Sequence, residues 1–409
     1  MPSALADGEP DGTFSGDGQT AFPVGGLSSG AQAVAKQGSK YVLGGFVQGG
    51  GAFSRFGLAR ILGNGDPDPD FGGGDGEVVT DFFGESSGIS AVAVLGSGKI
   101  LAAGYATKPN GNNVMAVARY RSNGQLDTTF SGDGKAVAGF GMGYADATSL
   151  LKLSNGSFLV AGSAGSDFGH TRAAVARFLP NGNLDTKFGG GDGLATVRPP
   201  GSFFSLANSM VAGGGGKILI GGTSYLDEFG DVSNFLVARL LADGRRDSSF
   251  SGDGNVTKHH QPKDWGHDVV LLPSGKILLA GATVPNGSMP NVAIVRFSAA
   301  RVFDTGFGVS EVDFGGNDQI LDLSVDGLGR LVGVGVWDSS MGVFRFSAGG
   351  VQDSASFGSE GAIAVEFPAP SFPSSAGYGV LTPGAKIVAI GSARTPSSEF
   401  GFAIARLLS

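Results

Sequence analysis

Residues 89 to 137 read ISAVAVLGSGKILAAGYATKPNGNNVMAVARYRSNGQLDTTFSGDGKAV, one copy of a unit that recurs along the chain. Within it, SAVAVL (90–95) and KILAAG (99–104) flank a tight turn at Gly96-Ser97-Gly98. VMAVARYR (114–121) and QLDTTF (125–130) flank Asn123-Gly124, a dipeptide suited to a type I′ hairpin turn with positive φ at both positions. Val, Ile, Leu and Phe dominate these pieces, and none carries a helical period over 11 or more residues. The unit therefore reads as four antiparallel strands.

Three landmarks repeat. A basic or polar residue opens a short apolar run at Lys40, Lys99, Ser157, Lys217, Lys276, Arg330 and Lys386, with spacings of 59, 58, 60, 59, 54 and 56. An arginine sits inside the third strand at Arg60, Arg119, Arg177, Arg239, Arg296, Arg345 and Arg406. A phenylalanine, usually three residues after an Asp, follows at Phe14, Phe71, Phe130, Phe188, Phe250, Phe307 and Phe357. Seven units of about 58 residues with four strands each predict an all-β, seven-bladed β-propeller filling residues 1–409 as one domain. An open solenoid would need capping repeats. Instead, the last unit stops at Ser409 without its fourth strand, and Leu5-Ala6-Asp7-Gly8 with Asp11 and Phe14 matches Leu241-Ala242-Asp243-Gly244 with Asp247 and Phe250. Residues 5–14 are thus expected to pair with 401–408, close the ring and remove its free sheet edges.

Composition agrees. Glycine is 74 of 409 residues, yet 30 Phe and a 41% hydrophobic fraction exclude a disordered linker. A net charge of −8 without a Lys/Arg run argues against nucleic acid as a partner. Zero Cys excludes disulfides and thiolate metal sites. Apolar runs end well short of a membrane span, and MPSALADGEPDG lacks the apolar core of a signal peptide.

The units resemble the bacterial delta-60 repeat family. The resemblance rests on Ser274-Gly275-Lys276-Ile277-Leu278-Leu279-Ala280-Gly281, Val117-Ala118-Arg119-Tyr120 and Leu184-Asp185-Thr186-Lys187-Phe188-Gly189. It implies a propeller, often in exported or surface bacterial proteins, and no defined activity. The strand layout is also similar to NHL-type propellers, whose roles range from binding to catalysis.

Recurrence in every unit favours a structural role for the arginines, each pairing with an Asp or with strand carbonyls between sheets. The Gly-rich runs carrying Asp17, Asp75, Asp133, Asp192 and Asp253 offer one carboxylate each, which suits turn chemistry better than Ca²⁺. Asp66-Pro67-Asp68-Pro69-Asp70 is a weak calcium signal, and no cofactor is expected. Eight residues before each first landmark stand Gln32, Ala91, Ser149, Ser209, Asp268, Asp322 and Tyr378, expected at equal heights around the channel. His267, Asp268 and Asp322 then form a candidate acid/base or cation cluster at the channel mouth, with Asp146 and Trp265 beside it and Trp265 in the same loop as His267. His259-His260 reads as solvated. The long second-to-third strand loops 105–113, 163–171 and 223–234 carry candidate ligand-binding side chains, Tyr225 and Asp227 among them, as Tyr378 does in the channel.

These features favour a monomeric, extracellular or cell-surface binding scaffold that recognises a glycan or protein on its loop face. The alternative is a hydrolase or lyase with Asp322 as base, His267 as acid and Asp268 as orienter or cation ligand.

Overall fold

A computed structural model describes residues 7–48, 53–167, 170–367, 375–397 and 399–409. Seven four-stranded antiparallel sheets are arranged as the blades of a propeller. Blades 1 to 6 span residues 29–80, 87–138, 144–197, 204–258, 263–312 and 318–365. Blade 7 joins Ser375–Leu381, Lys386–Arg394 and Phe400–Leu408 to the N-terminal strand Gln19–Phe22. Neighbouring blades bury Val, Ala, Ile, Leu and Phe against one another, so the core is a ring of inter-blade layers.

The ring closes as the sequence implies, but its regular ladder lies beyond residues 5–14: Gln19–Phe22 pairs with Ala405–Phe402. Within 5–14, a bridge joins Pro10 to Leu407, and Gly8 N–H and Asp11 N–H donate to Leu408 and Arg406 carbonyls at 2.8 Å. Leu5 and Ala6 fall outside the described residues. The same displacement occurs in the unit first quoted. Its outer strand is Lys135–Ala138, whereas residues 125–130 make one bridge, Tyr120 to Leu126, and a turn. QLDTTF serves a different purpose: one turn places Asp127 and Phe130, three residues apart, under the arginine. Asn123-Gly124 is likewise not a type I′ turn, since only Gly124 has positive φ (+88°). Arg121 N–H bonds to the Gln125 carbonyl at 2.7 Å, so the loop has three residues with its left-handed position last.

All seven landmark arginines form an ion pair with the Asp eight residues on, or with Asp11 in the closed blade, at 2.5–2.9 Å. Each guanidinium also stacks on the landmark Phe, 4.3–4.8 Å from the ring centroid. Five of them reach a carbonyl in the next blade's third-to-fourth turn: Ser122, Pro180, Ala242, Ala348 and, across the closure, Gly63. The arginine girdle is therefore architectural. Lys40, Lys99, Lys217, Lys276 and Lys386 add a second cation to the same carboxylates.

The GDG aspartates act in turns as well. Asp17, Asp75, Asp133, Asp192 and Asp253 each accept the backbone N–H two residues on, at 2.9–3.1 Å. These turns precede the outer strands. Asp68 of the DPDPD stretch is taken by Arg60 and Lys40. Among the described residues no helix is long and apolar enough to cross a membrane.

Candidate functional site in the channel and on the loop face

The first strand of every blade lines the central channel, and each carries a β-bulge at the same place, at Gln32, Ser90, Thr148, Asn208, His267, Leu321 and Tyr378. The expected ring of equal heights is therefore staggered. Gln32 and Tyr378 are bulge residues, whereas Ala91, Ser149, Ser209, Asp268 and Asp322 follow theirs. The first hairpin turn is one residue shorter in blade 1, where Gln37 pairs directly with Lys40, so counting back from the landmark slips by one.

The bulges turn polar side chains into a cavity of about 200 Å³ that all seven blades line. Asp268 and Asp322 meet there halfway along their strands, below the mouth rather than at it. They form part of a relay between blades. Ser209 Oγ donates to Asp268 Oδ1, Leu323 N–H donates to Asp268 Oδ2 at 3.0 Å, and Val380 N–H donates to Asp322 Oδ2 at 2.7 Å. Ser149 Oγ takes Met210 N–H at 3.1 Å in the same way. The two carboxyl groups also bond to each other. Burial, then the charge of Asp268, pushes Asp322 well above the usual carboxylate range. Burial raises Asp268 too, opposed by the bonds from Ser209 and Leu323. Both shifts favour the protonated carboxyl, most strongly at Asp322, and a proton between them is what lets the pair bond. The side chains meet solvent only along the bore, so partial accessibility coexists with strong desolvation.

His267 lines the same cavity, but its ring bonds to Gln319 rather than to either carboxylate, and its Nε2 has no partner among the described residues. Burial pushes it down to about 4, so the imidazole is neutral at pH 7. Trp265 lies in the strand Lys263–Leu271 rather than in a loop, two residues nearer the mouth. Asp146 holds the equivalent place in blade 3. Burial raises its carboxyl, against hydrogen bonds from Tyr144 and Ser163 N–H. Tyr144 was not singled out from sequence, although it stands two residues before Asp146 and hence on the same side of the strand. Gln319, which reaches the His267 ring from the neighbouring blade, carries no mark in the sequence either.

The second-to-third loops and the blade-to-blade connections share one face: Phe203 N–H meets the Tyr225 carbonyl at 2.7 Å and Asn113 N–H meets Gly143 at 3.1 Å. Tyr225 is stacked on Phe204, with ring centroids 4.1 Å apart, and burial pushes its phenol up to about 12. Asp227 organises its own loop by accepting the N–H groups of Phe229, Asp231 and Val232 at 2.6–3.0 Å. Residues 168 and 169 of loop 163–171 fall outside the described residues. A cleft of about 380 Å³ opens on this face beside Gln32, between Phe46 and Tyr105 of blades 1 and 2. His259 and His260 are not free: they bond to Asn234 at 3.0 Å and Glu311 at 2.7 Å. Among the described residues no group of three or more His, Asp or Glu converges to hold a metal ion.

A family model described as "Domain of unknown function (DUF5122) beta-propeller" matches residues 95–130, 153–188 and 216–250. Each match ends on the phenylalanine beneath the girdle arginine of blade 2, 3 or 4. The chain is a β-propeller repeat protein. No curated protein matches it in sequence. Among solved structures, this propeller is similar to an ulvan lyase described as a new polysaccharide lyase family, bound to -[GlcA(1-4)Rha3S]-; they share 11% identity over 95% of this chain and 96% of that one, at a TM-score of 0.52. It is similar to the polysaccharide lyase Uly1 at 11% identity, over 93% and 90% of the chains, at a TM-score of 0.50. A Dyadobacter fermentans protein of unknown function aligns at 13% identity over 95% and 97%, at a TM-score of 0.49. At these identities the likeness establishes the fold alone.

Proposed function

We propose that this propeller is a non-enzymatic recognition scaffold that binds a glycan or protein on the loop face around its channel. The observation that carries this is the placement of exposed aromatics. Every exposed Phe among the described residues (Phe53, Phe83, Phe203 and Phe229) lies in a connection on that face. Large apolar rings left exposed on one face suit it to binding. The channel, in contrast, holds about 200 Å³, below the roughly 300 Å³ at which ligand pockets begin. The carboxylates inside it are occupied with joining blades. A delta-60-type, exported and monomeric protein fits this role, and the fold it shares with proteins described as polysaccharide lyases is compatible with glycan ligands.

A hydrolase or lyase is the second reading. It draws on the shared proton of Asp268 and Asp322 and on neutral His267 with its unpartnered Nε2. One experiment separates the two. The purified protein is tested against a polysaccharide panel for retardation in affinity gels and, in parallel, for release of unsaturated uronates and reducing ends. Scaffold function predicts binding without product, weakened by Phe229→Ala and unaffected by Asp268→Asn with Asp322→Asn. Product formation abolished by that carboxylate pair would instead establish catalysis.

A further inference from the structure

We infer that the loop face of blades 3 and 4 holds a site for an acidic glycan, with Arg172 and Arg198 gripping its carboxylate or sulfate groups and Phe203 underlying a sugar ring. This rests on the loop face being the recognition surface. The third and outer strands of blade 3 pair up to Ala173 and Val197. Arg172 immediately precedes that rung and Arg198 follows it, so the two stand opposite each other at the top of the ladder. Like charges so placed repel one another. Both are exposed, and neither meets a carboxylate among the described residues. Their one polar contact among the described residues is Arg198 Nη1 donating to the Phe203 carbonyl at 3.3 Å. In a chain of net charge −8, whose girdle arginines are all paired, two adjacent arginines left without anions are a place for one.

Hydrogen bonds through Ser202 and Ser205 tie the patch to its strands. Ser205 N–H donates to the Thr171 carbonyl at 3.1 Å, Ala173 N–H to Ser205 Oγ at 3.3 Å, and Ser202 Oγ to the Pro199 carbonyl at 2.6 Å. Phe203, 39% exposed, is thereby fixed beside the arginines. The His170 ring lies 6.5 Å from it, oriented by a 2.7 Å contact from Nδ1 to Asp167. Two planar forks can each give paired N–H bonds to a carboxylate or sulfate, while the open phenyl face accepts the apolar side of a pyranose. An acidic peptide fits less well, because both arginines sit at strand ends rather than along a free edge that an extended chain would join.

The test is affinity electrophoresis of the intact chain through gels of polygalacturonate, dextran sulfate or neutral dextran, with soluble poly-glutamate as competitor. Expected is retardation by at least one anionic polymer and none by dextran, the two anionic gels distinguishing carboxylate from sulfate. With each charge-assisted bond worth about tenfold, Arg172→Ala with Arg198→Ala should weaken retardation tenfold or more. Arg121→Ala, removing an exposed cation on the opposite face, should leave it unchanged. Equal retardation of the double variant and the parent overturns the site, as does stronger displacement by poly-glutamate than by soluble polygalacturonate at matched charge, which would indicate a protein partner. Phe229-dependent binding to neutral dextran alone overturns the anionic site yet keeps the recognition surface. No retardation in any gel overturns both.

Discussion

Replacing Asp127 by Ala removes the carboxylate that Lys99 Nζ, Arg119 Nε and Thr129 Oγ1 share at 2.7–2.8 Å. Arg119, only 9% exposed, keeps its stack on Phe130 and its bond to the Pro180 carbonyl but loses its counter-charge. Stripping one partner from a buried pair costs about 3–5 kcal/mol. A unit-wise melting entropy near 2 cal/mol/K per residue makes 1 kcal/mol worth about 1 °C in a chain of 409 residues. The variant should therefore melt about 3–6 °C lower in a calorimetric scan at pH 7. Asp133→Ala, which takes away an exposed turn carboxylate, should shift the melt by under about 1 °C. Pairing Asp127→Ala with Arg119→Met should recover part of the loss, because no buried charge is then left alone. Acid supplies a second check. Burial pushes the Asp127 carboxyl up, but hydrogen bonds from Lys99 and Thr129 and the Arg119 charge outweigh it, so the group titrates well below the usual range. Its contribution is present above about pH 4 and drains away as pH falls toward the folded value, so parent and variant should converge below about pH 4. A variant melting within 1 °C of the parent at pH 7 would refute the girdle carboxylate as a main support of its blade.

Gly124 has φ +88°, and a Cβ there would come within 2.8 Å of Val78 and 3.0 Å of Phe71 in blade 1, so Gly124→Ala should lower the melting temperature clearly more than Gly111→Ala, whose Cβ would meet nothing. Asp322 has its carboxyl raised, so its favourable contribution exists below about pH 4 and is lost as pH rises. Asp322→Asn should consequently gain stability relative to the parent between pH 5 and 8, read by thermal melts across that range. Deleting residues 1–22 removes the outer strand of blade 7 and Asp11, the partner of Arg406 and Lys386. Light scattering after size exclusion should then show self-association through the exposed edge of Phe400–Leu408, and a monodisperse monomer would contradict closure by the N terminus.

Blade number, strand polarity and ring closure were legible in the sequence because they are periodic. An Arg, an Asp and a Phe recur at fixed offsets when every blade must solve the same packing problem, and the girdle is that solution. The landmark pattern could not say which side of the Phe the outer strand lies on. QLDTTF carries Leu, Thr and Phe as a strand does, yet its Asp127 and Phe130, three residues apart, are buried together by one turn. The channel illustrates a different limit. Asp268 and Asp322 could be placed near each other by counting from the landmarks. Their raised carboxyls, their depth in the bore and the partners of His267 depend on bulges and on desolvation that only neighbouring blades create. Likewise, Arg172 and Arg198 are 26 residues apart in a sequence with nothing to mark them, and only the final rung of one ladder sets them side by side. Local chemistry that repeats is written along the chain. Charge placed against charge, or aromatic against solvent, exists only once the blades have met.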